Sequence, residues 1–281
     1  MQLAVITDEI DPDLSHALDV MAEYGIRHAE LRQVGADNIS GLSLDAVREV
    51  KRLLDAKGAS CIGIASPLFK TDLPGDAPSG GEAGPLHGGA ALGFEQQIPL
   101  LRRLIEMARI LDTRFIRAFT FWKHGALTTA IEDAVARAYA EPARLAADAG
   151  VTLLVENEPS CYAGTGAETA RIVARIDSPS VRMVWDPGNA VFADEDALAG
   201  YAAVKPYMAH MHAKDAARGA GGEVACTVIG EGKARWPEQL AALKADGYDG
   251  FLSLETHYNG LGNKEASSRQ CLEALMALLG D

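Results

Sequence analysis

Strand-like and helix-like stretches alternate along the whole of this 281-residue chain, and that alternation restricts the fold more than any single motif. Apolar runs rich in β-branched residues stand at 3–7, 28–32, 60–66, 115–121, 151–157, 181–186, 208–214 and 251–257. Between them, apolar residues recur at helical spacing over 12–24, 44–57, 95–111, 126–149, 167–176, 196–204, 237–246 and 264–279. An apolar run followed by a helical period makes one βα unit. Eight such units in a chain of this length predict an α/β fold, a single (β/α)8 TIM barrel over residues 1–281. The competing open doubly wound sheet lacks its usual signature, because no GxGxxG follows the first strand. Gly25, Gly58, Gly150 and Gly247 each stand between a helix and the next strand, where a left-handed residue ends a helix at little cost.

A Gly-, Pro- and Ala-rich loop at 70–94 follows the third strand, on the side where a barrel carries its catalytic loops, and is expected to be a lid. Lys and Arg total 26 against 39 Asp and Glu, a net charge of −13. That balance repels phosphate backbones and anionic surfaces, so neither nucleic acid nor membrane is an expected partner. The start, MQLAVITDEIDPD, lacks the basic opening of a signal peptide, and no apolar run reaches the ~18 residues of a membrane span. The four cysteines are far apart with no CxxC, which reads as free thiols in a reducing compartment, the cytoplasm.

In such a barrel the reacting groups come from the C-terminal ends of several strands. Strand five ends in VENEPS, with Glu156 and Glu158 directly after an apolar run. Strand six ends in Asp186 of WDPGN, strand seven carries His210, His212, Lys214 and Asp215, and strand eight ends in Glu255 and His257. Glu156, Asp186, His212 and Glu255 are one donor per strand, at intervals of 30, 26 and 43 residues that suit consecutive βα units. Three carboxylates and an imidazole suit one divalent ion, Mn²⁺, Mg²⁺, Co²⁺ or Zn²⁺, with positions left for a substrate carbonyl and hydroxyl. Such an ion stabilises an enediolate, and two glutamates on opposite sides of the carbon can remove and return its proton. Glu156 and Glu255 are the candidates for that acid/base pair.

VENEPS, WDPGN, HMHAKD, GEGKARWPEQLAALKADGYDGFLSLE and TDEIDPDL together resemble the sugar phosphate isomerase/epimerase family of xylose isomerase-like TIM barrels, over almost the whole chain. The resemblance implies one divalent metal on Glu156, Asp186, His212 and Glu255, with the two glutamates as acid and base. It also implies that Arg218, shortly after the metal histidine, helps to hold substrate. Several members carry a histidine in a DxxH pattern where this chain has Asn189; asparagine can hydrogen-bond a hydroxyl but cannot carry the same proton. The expected function is a metal-dependent isomerase or epimerase of a ketose or related polyol. The alternative is a metal-dependent dehydratase of a keto-inositol or related hydroxy-keto compound. A DNA-repair endonuclease on the related barrel uses three metals and more histidines than the 7 present here. A non-catalytic binding barrel need not keep both glutamates. A homodimer is expected only from the general frequency of dimers.

The remaining polar residues carry plainer readings beside these. Glu158 faces the same way as Glu156 and is assigned to substrate. Lys214 either holds a substrate anion or pairs with Asp215, and Arg117 either holds substrate or forms a buried ion pair. His210 lies deeper than His212 and reads as a hydrogen-bonded core histidine. Trp122 and Trp185 read as core packing, and GAGGE at 219–223 is a weak anion-cradle candidate.

Overall fold

A computed structural model describes residues 1–75, 86, 87 and 89–280. Eight parallel strands close into a barrel: β1 (Gln2–Ile6), β2 (His28–Leu31), β3 (Ser60–Leu68), β4 (Phe115–Ala118), β5 (Thr152–Glu156), β6 (Val181–Trp185), β7 (Met208–Ala213) and β8 (Phe251–Leu254). Each pairs with its sequence neighbours, and β8 closes onto β1 with Gln2 opposite Phe251 and Val5 opposite Leu254. Closure leaves no edge of unpaired backbone groups. Helices cover the outer face and side chains fill the inner one, so the strands are buried on both sides. That double burial is why they read in sequence as continuous apolar runs.

The helices are α1 (Leu14–Glu23), α2 (Leu44–Lys57), α3 (Gln97–Leu111), α4 (Thr129–Ala138), α5 (Ala140–Ala149), α6 (Gly166–Ile176), α7 (Pro187–Phe192), α8 (Ala197–Val204), α9 (Trp236–Ala245) and α10 (Lys264–Leu279). In α2 the Ser43 side chain caps the start by accepting from the Ala46 N–H, and Gly58 ends it at φ 65°. Val47, Val50 and Leu54 form its buried stripe, each contributing about 2 kcal/mol of apolar burial. Gly25, Gly150 and Gly247 are left-handed as well, at φ 72°, 69° and 68°.

Three local features depart from expectation. The helix expected over 126–149 is two helices that break at Tyr139. Pro142 has no N–H to return to the Ala138 carbonyl, and the buried Tyr139 hydroxyl donates to the Phe119 carbonyl at 2.6 Å. The PGN turn after β6 winds into α7, with Asp186 as its cap and Pro187 in its first turn. Ala216–Arg218 and Val224–Cys226 pair as a hairpin, and GAGGE is its turn, closed by the Gly219 N–H on the Glu223 carbonyl at 2.7 Å. Of the expected lid, residues 76–85 and 88 lie outside those described.

Strand alternation sets what enters the barrel. Phe115, Leu154 and Val184 pack on each other as one cluster, apart from the main core, which takes Ile116, Leu153, Val155 and Met183 from the opposite faces of the same strands. The residues two further on, Arg117, Glu156 and Asp186, therefore share the inward face one layer above that cluster. The apolar triad is the floor on which the polar groups stand.

Candidate metal centre and active site

The four expected donors meet. Glu156, Asp186, His212 and Glu255 each offer one atom, and these atoms all lie within 4.8 Å of one another. All four residues are buried. His212 Nδ1 stands 3.2 Å from Glu156 Oε1 and 3.2 Å from Glu255 Oε2.

Backbone structure fixes each donor. Asp186 Oδ1 accepts the Asn189 N–H of α7 at 2.9 Å, which leaves Oδ2 turned to the centre. Asn157 clasps the backbone of Asp186 from the neighbouring strand: its Nδ2 donates to the Asp186 carbonyl at 2.8 Å and its Oδ1 accepts the Asp186 N–H at 2.9 Å. The ends of β5 and β6 are thereby tied at the height of their carboxylates. Arg117 Nη1 lies 3.2 Å from Glu156 Oε2 and 3.1 Å from Glu255 Oε1, so it bridges the two glutamates. Arg32 donates to Glu255 Oε1 at 2.9 Å and is itself held by Asp8 and Glu9, the acidic pair of TDEIDPDL.

Lys214 joins this centre rather than Asp215. Its Nζ is 2.6 Å from Asp186 Oδ2, 3.1 Å from Glu255 Oε2 and 3.1 Å from Asn189 Oδ1. Asp215 instead accepts the backbone N–H groups of Ala216, Gly230, Gly232 and Ala234, which makes it an organiser of the loop after β7. Asn189 donates to Glu156 Oε1 at 3.3 Å and to the Asn157 carbonyl at 2.9 Å. Glu158 pairs with Lys70 at 2.9 Å.

The electrostatics follow from packing charges without water. Burial pushes the Asp186 carboxyl up, to about 6, against the pull of Lys214 and with the push of Glu255 and Glu156. Burial also opposes the charge on Glu255, but Lys214 and His212 outweigh it and hold its carboxyl well below the usual range. Burial would lower His212; Glu30, Glu255 and Glu156 raise it well above an ordinary imidazole instead. At Glu158 the cost of burial is overcome by Lys70, which brings the carboxyl to about 2.

The centre opens on a cavity of about 360 Å³, within the range of small-molecule sites. Arg117, Glu156, Glu158, Asn189, Lys214 and Glu255 line it as expected, joined by Lys70, His87, Phe192, Cys226 and His257. Arg218 does not line it. Its strand lies in the exposed hairpin, and its guanidinium is taken by Asp194 at 2.9 Å and the Gly222 carbonyl at 2.7 Å. Trp185 is wholly buried, and all four cysteines are free. His210 is the buried histidine anticipated, with Glu30 as its partner at 2.9 Å.

Glu30, Asn157, Lys70 and His87 escaped the sequence reading. Glu30 left one usable signal, a carboxylate in the middle of the apolar strand HAEL. Asn157 acts through backbone groups of another strand, and His87 reaches the cavity from the loop after β3, where it stacks on His257 with ring centres 5.2 Å apart.

Whether these residues suit a metal can be tested on the donors themselves. Asp186 Oδ2 is buried and accepts no hydrogen bond, although Lys214 Nζ lies close to it. Three carboxylate oxygens and an imidazole nitrogen converge on one point, which matches a hard or borderline divalent ion.

Comparison with known proteins agrees with this architecture. Among solved structures, the chain is similar to the IOLI protein with a bound zinc atom, at 16% identity and TM-score 0.77 over 100% of this chain and 98% of that one. It is similar to the probable 3-DHS dehydratase AsbF of petrobactin synthesis from Bacillus anthracis, at 17% identity and TM-score 0.73 over 100% and 99%. It is similar also to an L-ribulose 3-epimerase, at 16% and 0.73 over 100% and 95%. At such identities these likenesses show the fold. No curated protein matches the sequence. The sequence profile of xylose isomerase-like TIM barrels matches residues 18–278, nearly the full length, in accord with the closed barrel, and the chain belongs to that family.

Proposed function

We propose that this protein is a divalent-metal-dependent isomerase or epimerase of a ketose or related polyol. The observation that carries the reading is the convergence of Glu156, Asp186, His212 and Glu255, two of which, Glu156 and Glu255, line the cavity. In this reading those four hold one Mn²⁺, Mg²⁺, Co²⁺ or Zn²⁺. When bound, the ion draws charge from a substrate carbonyl and its neighbouring hydroxyl, which acidifies the intervening C–H bond.

The chain's own residues do the rest. One of Glu156 and Glu255 takes the carbon proton and the other returns it. Arg117 spans both carboxylates and fixes their separation. Asn189 and Lys214 present a donor set to substrate hydroxyls beside the centre, and Glu158 with Lys70 forms the polar far wall. Phe192 and Pro159 supply apolar surface for the carbon face of a sugar. With Asn189 in place of a histidine, that position orients a hydroxyl and has no titratable proton of its own.

A second reading has its own support. His87 and His257 line the cavity as a stacked imidazole pair. His257 could give a proton to a departing hydroxyl, while burial holds His87 neutral, its imidazole lowered to about 2; such a step would make the enzyme a dehydratase of a hydroxy-keto compound. The same fold serves an L-ribulose 3-epimerase and a probable 3-DHS dehydratase. The reading includes a cytoplasmic enzyme and a homodimer, the latter checked by light scattering.

Plasma mass spectrometry tests the first step. About one divalent ion per chain is expected in the parent, with loss in a Glu156→Gln, His212→Ala double variant. A panel of ketoses and keto-inositols in deuterated water then separates the readings. Product of unchanged composition carrying solvent deuterium supports epimerisation or isomerisation, and loss of water supports the dehydratase. A protein that takes up no Mn²⁺, Co²⁺ or Zn²⁺ on loading overturns both.

A further inference from the structure

Beneath the centre lies a second group of ionisable side chains, which shares His212 with it: Glu30 of β2, with His210 and His212 of β7. All three are buried. Glu30 Oε2 is 2.9 Å from His210 Nε2, and Glu30 Oε1 is 3.3 Å from His212 Nε2. The register between β2 and β3 slips at Ala29/Glu30, the kind of irregularity that re-aims a side chain. The rings of His210 and His212 stand edge-on at 89°, with centres 5.4 Å apart. His210 also stacks on Phe115 of the apolar floor, and its Nδ1 has no hydrogen-bond partner.

We infer that Glu30 is a positioning residue for the metal centre, shared between two imidazoles. Resting on the reading of Glu156, Asp186, His212 and Glu255 as a cation site, the inference concerns which nitrogen of His212 faces that site. A carboxylate only accepts, so each Nε2 beside it carries a proton. With Nε2–H of His212 committed to Glu30, Nδ1, which shares a proton with Glu156 and Glu255 at 3.2 Å in the metal-free chain, is the nitrogen that gives up its proton and offers a lone pair to a metal. His210 takes the second carboxylate oxygen and leans on Phe115, which keeps Glu30 from turning away. Glu30 thus selects the tautomer and fixes the ring plane of a ligand that it does not accompany to the metal.

Zinc-loaded protein labelled with ¹⁵N-histidine tests this directly. Long-range proton–nitrogen correlation, assigned with His212→Gln, is expected to show His212 protonated at Nε2 with the metal-shifted nitrogen at Nδ1. A proton on Nδ1, or zinc on Nε2, overturns the inference. Calorimetric titration with Zn²⁺ supplies the second arm. Glu30→Gln keeps the volume but accepts from only one imidazole, and its affinity is expected to fall 10- to 100-fold from the parent's. Parent binding with unchanged affinity in Glu30→Gln removes the positioning role and leaves the metal site standing. No binding by the parent removes the metal site itself. Two ions per parent chain, one of them lost in Glu30→Gln, would instead make Glu30, His210 and His212 a second metal site.

Discussion

Lys214 shows how single charges are balanced in this barrel. Its ammonium is buried among Asp186, Glu255 and Glu156, and those carboxylates hold its proton far above the ordinary lysine range despite the cost of burial. Removing one partner of a buried pair leaves the other uncompensated, at about 3 kcal/mol. Lys214→Met is therefore expected to melt lower than the parent when metal-free. A divalent ion restores the missing positive charge, so adding Mn²⁺ should raise the melting temperature more in Lys214→Met than in the parent. Differential scanning fluorimetry with and without Mn²⁺ reads this, and an equal or smaller rise in the variant would sink the charge argument. Arg218 is the control at this level. It is half-exposed and tied to a still more exposed Asp194, so Arg218→Ala should leave metal affinity unchanged within about 0.5 kcal/mol.

Between elements, short polar ties set the height of the converging carboxylates. The Asn157 side chain satisfies two backbone groups of Asp186 across the β5–β6 seam. Asn157→Ala leaves both unpaired in a buried place and is expected to cost about 2–3 kcal/mol in denaturant unfolding. Because Asp186 loses its anchor, metal affinity should fall as well; stability loss without affinity loss would show that the clasp is structural only. On the outer layer, Glu132 of α4 holds Arg171 and Arg175 of α6 at 2.9 Å each. These hydrogen bonds, Arg171 foremost, lower its carboxyl below the ordinary value of 4.5. A depressed folded-state value stabilises above the unfolded one and loses that gain as pH falls through the folded one. Glu132→Gln should thus be less stable by about 1 kcal/mol at pH 7, given the exposure of its arginines. The gap should close below about pH 4.5, and a gap that persists at pH 3 would contradict this assignment.

As a whole, the molecule is a closed cylinder with an apolar floor and a charged mouth, so ligand binding and stability are linked. If the four donors hold a divalent ion, it binds the folded chain and not the unfolded one. At an ion concentration about 100 times the dissociation constant it should stabilise by about 2.7 kcal/mol. Dialysis against a chelator should lower the melting temperature and resupply should restore it. A melting curve indifferent to both, in protein shown to contain metal, would place the ion elsewhere. Among the described residues no helix is long and apolar enough to cross a membrane.

The eight barrel strands, most of the helices between them, the left-handed glycines and the four converging donors were legible in the chain itself. Each follows from local rules: burial on both faces writes a strand as an apolar run, and strand alternation puts residues two apart on one face. One donor per strand end was enough to predict the cluster, because a barrel brings every strand's C-terminal end to the same rim. What could not be read locally are the groups that act across the barrel. Glu30 is 182 positions from His212 and touches it only after closure sets β2 and β7 on facing walls. Asn157 matters through the backbone of a neighbouring strand, and Arg117 through its place between two glutamates, one of them 138 positions away. Lys214 has three acidic residues to choose from, and chain proximity favours Asp215. The fold favours Asp186 and Glu255, because Asp215 is spent on backbone N–H groups and strand alternation turns Lys214 inward. Contacts between residues far apart in sequence have no local signature; only closing the cylinder chooses them.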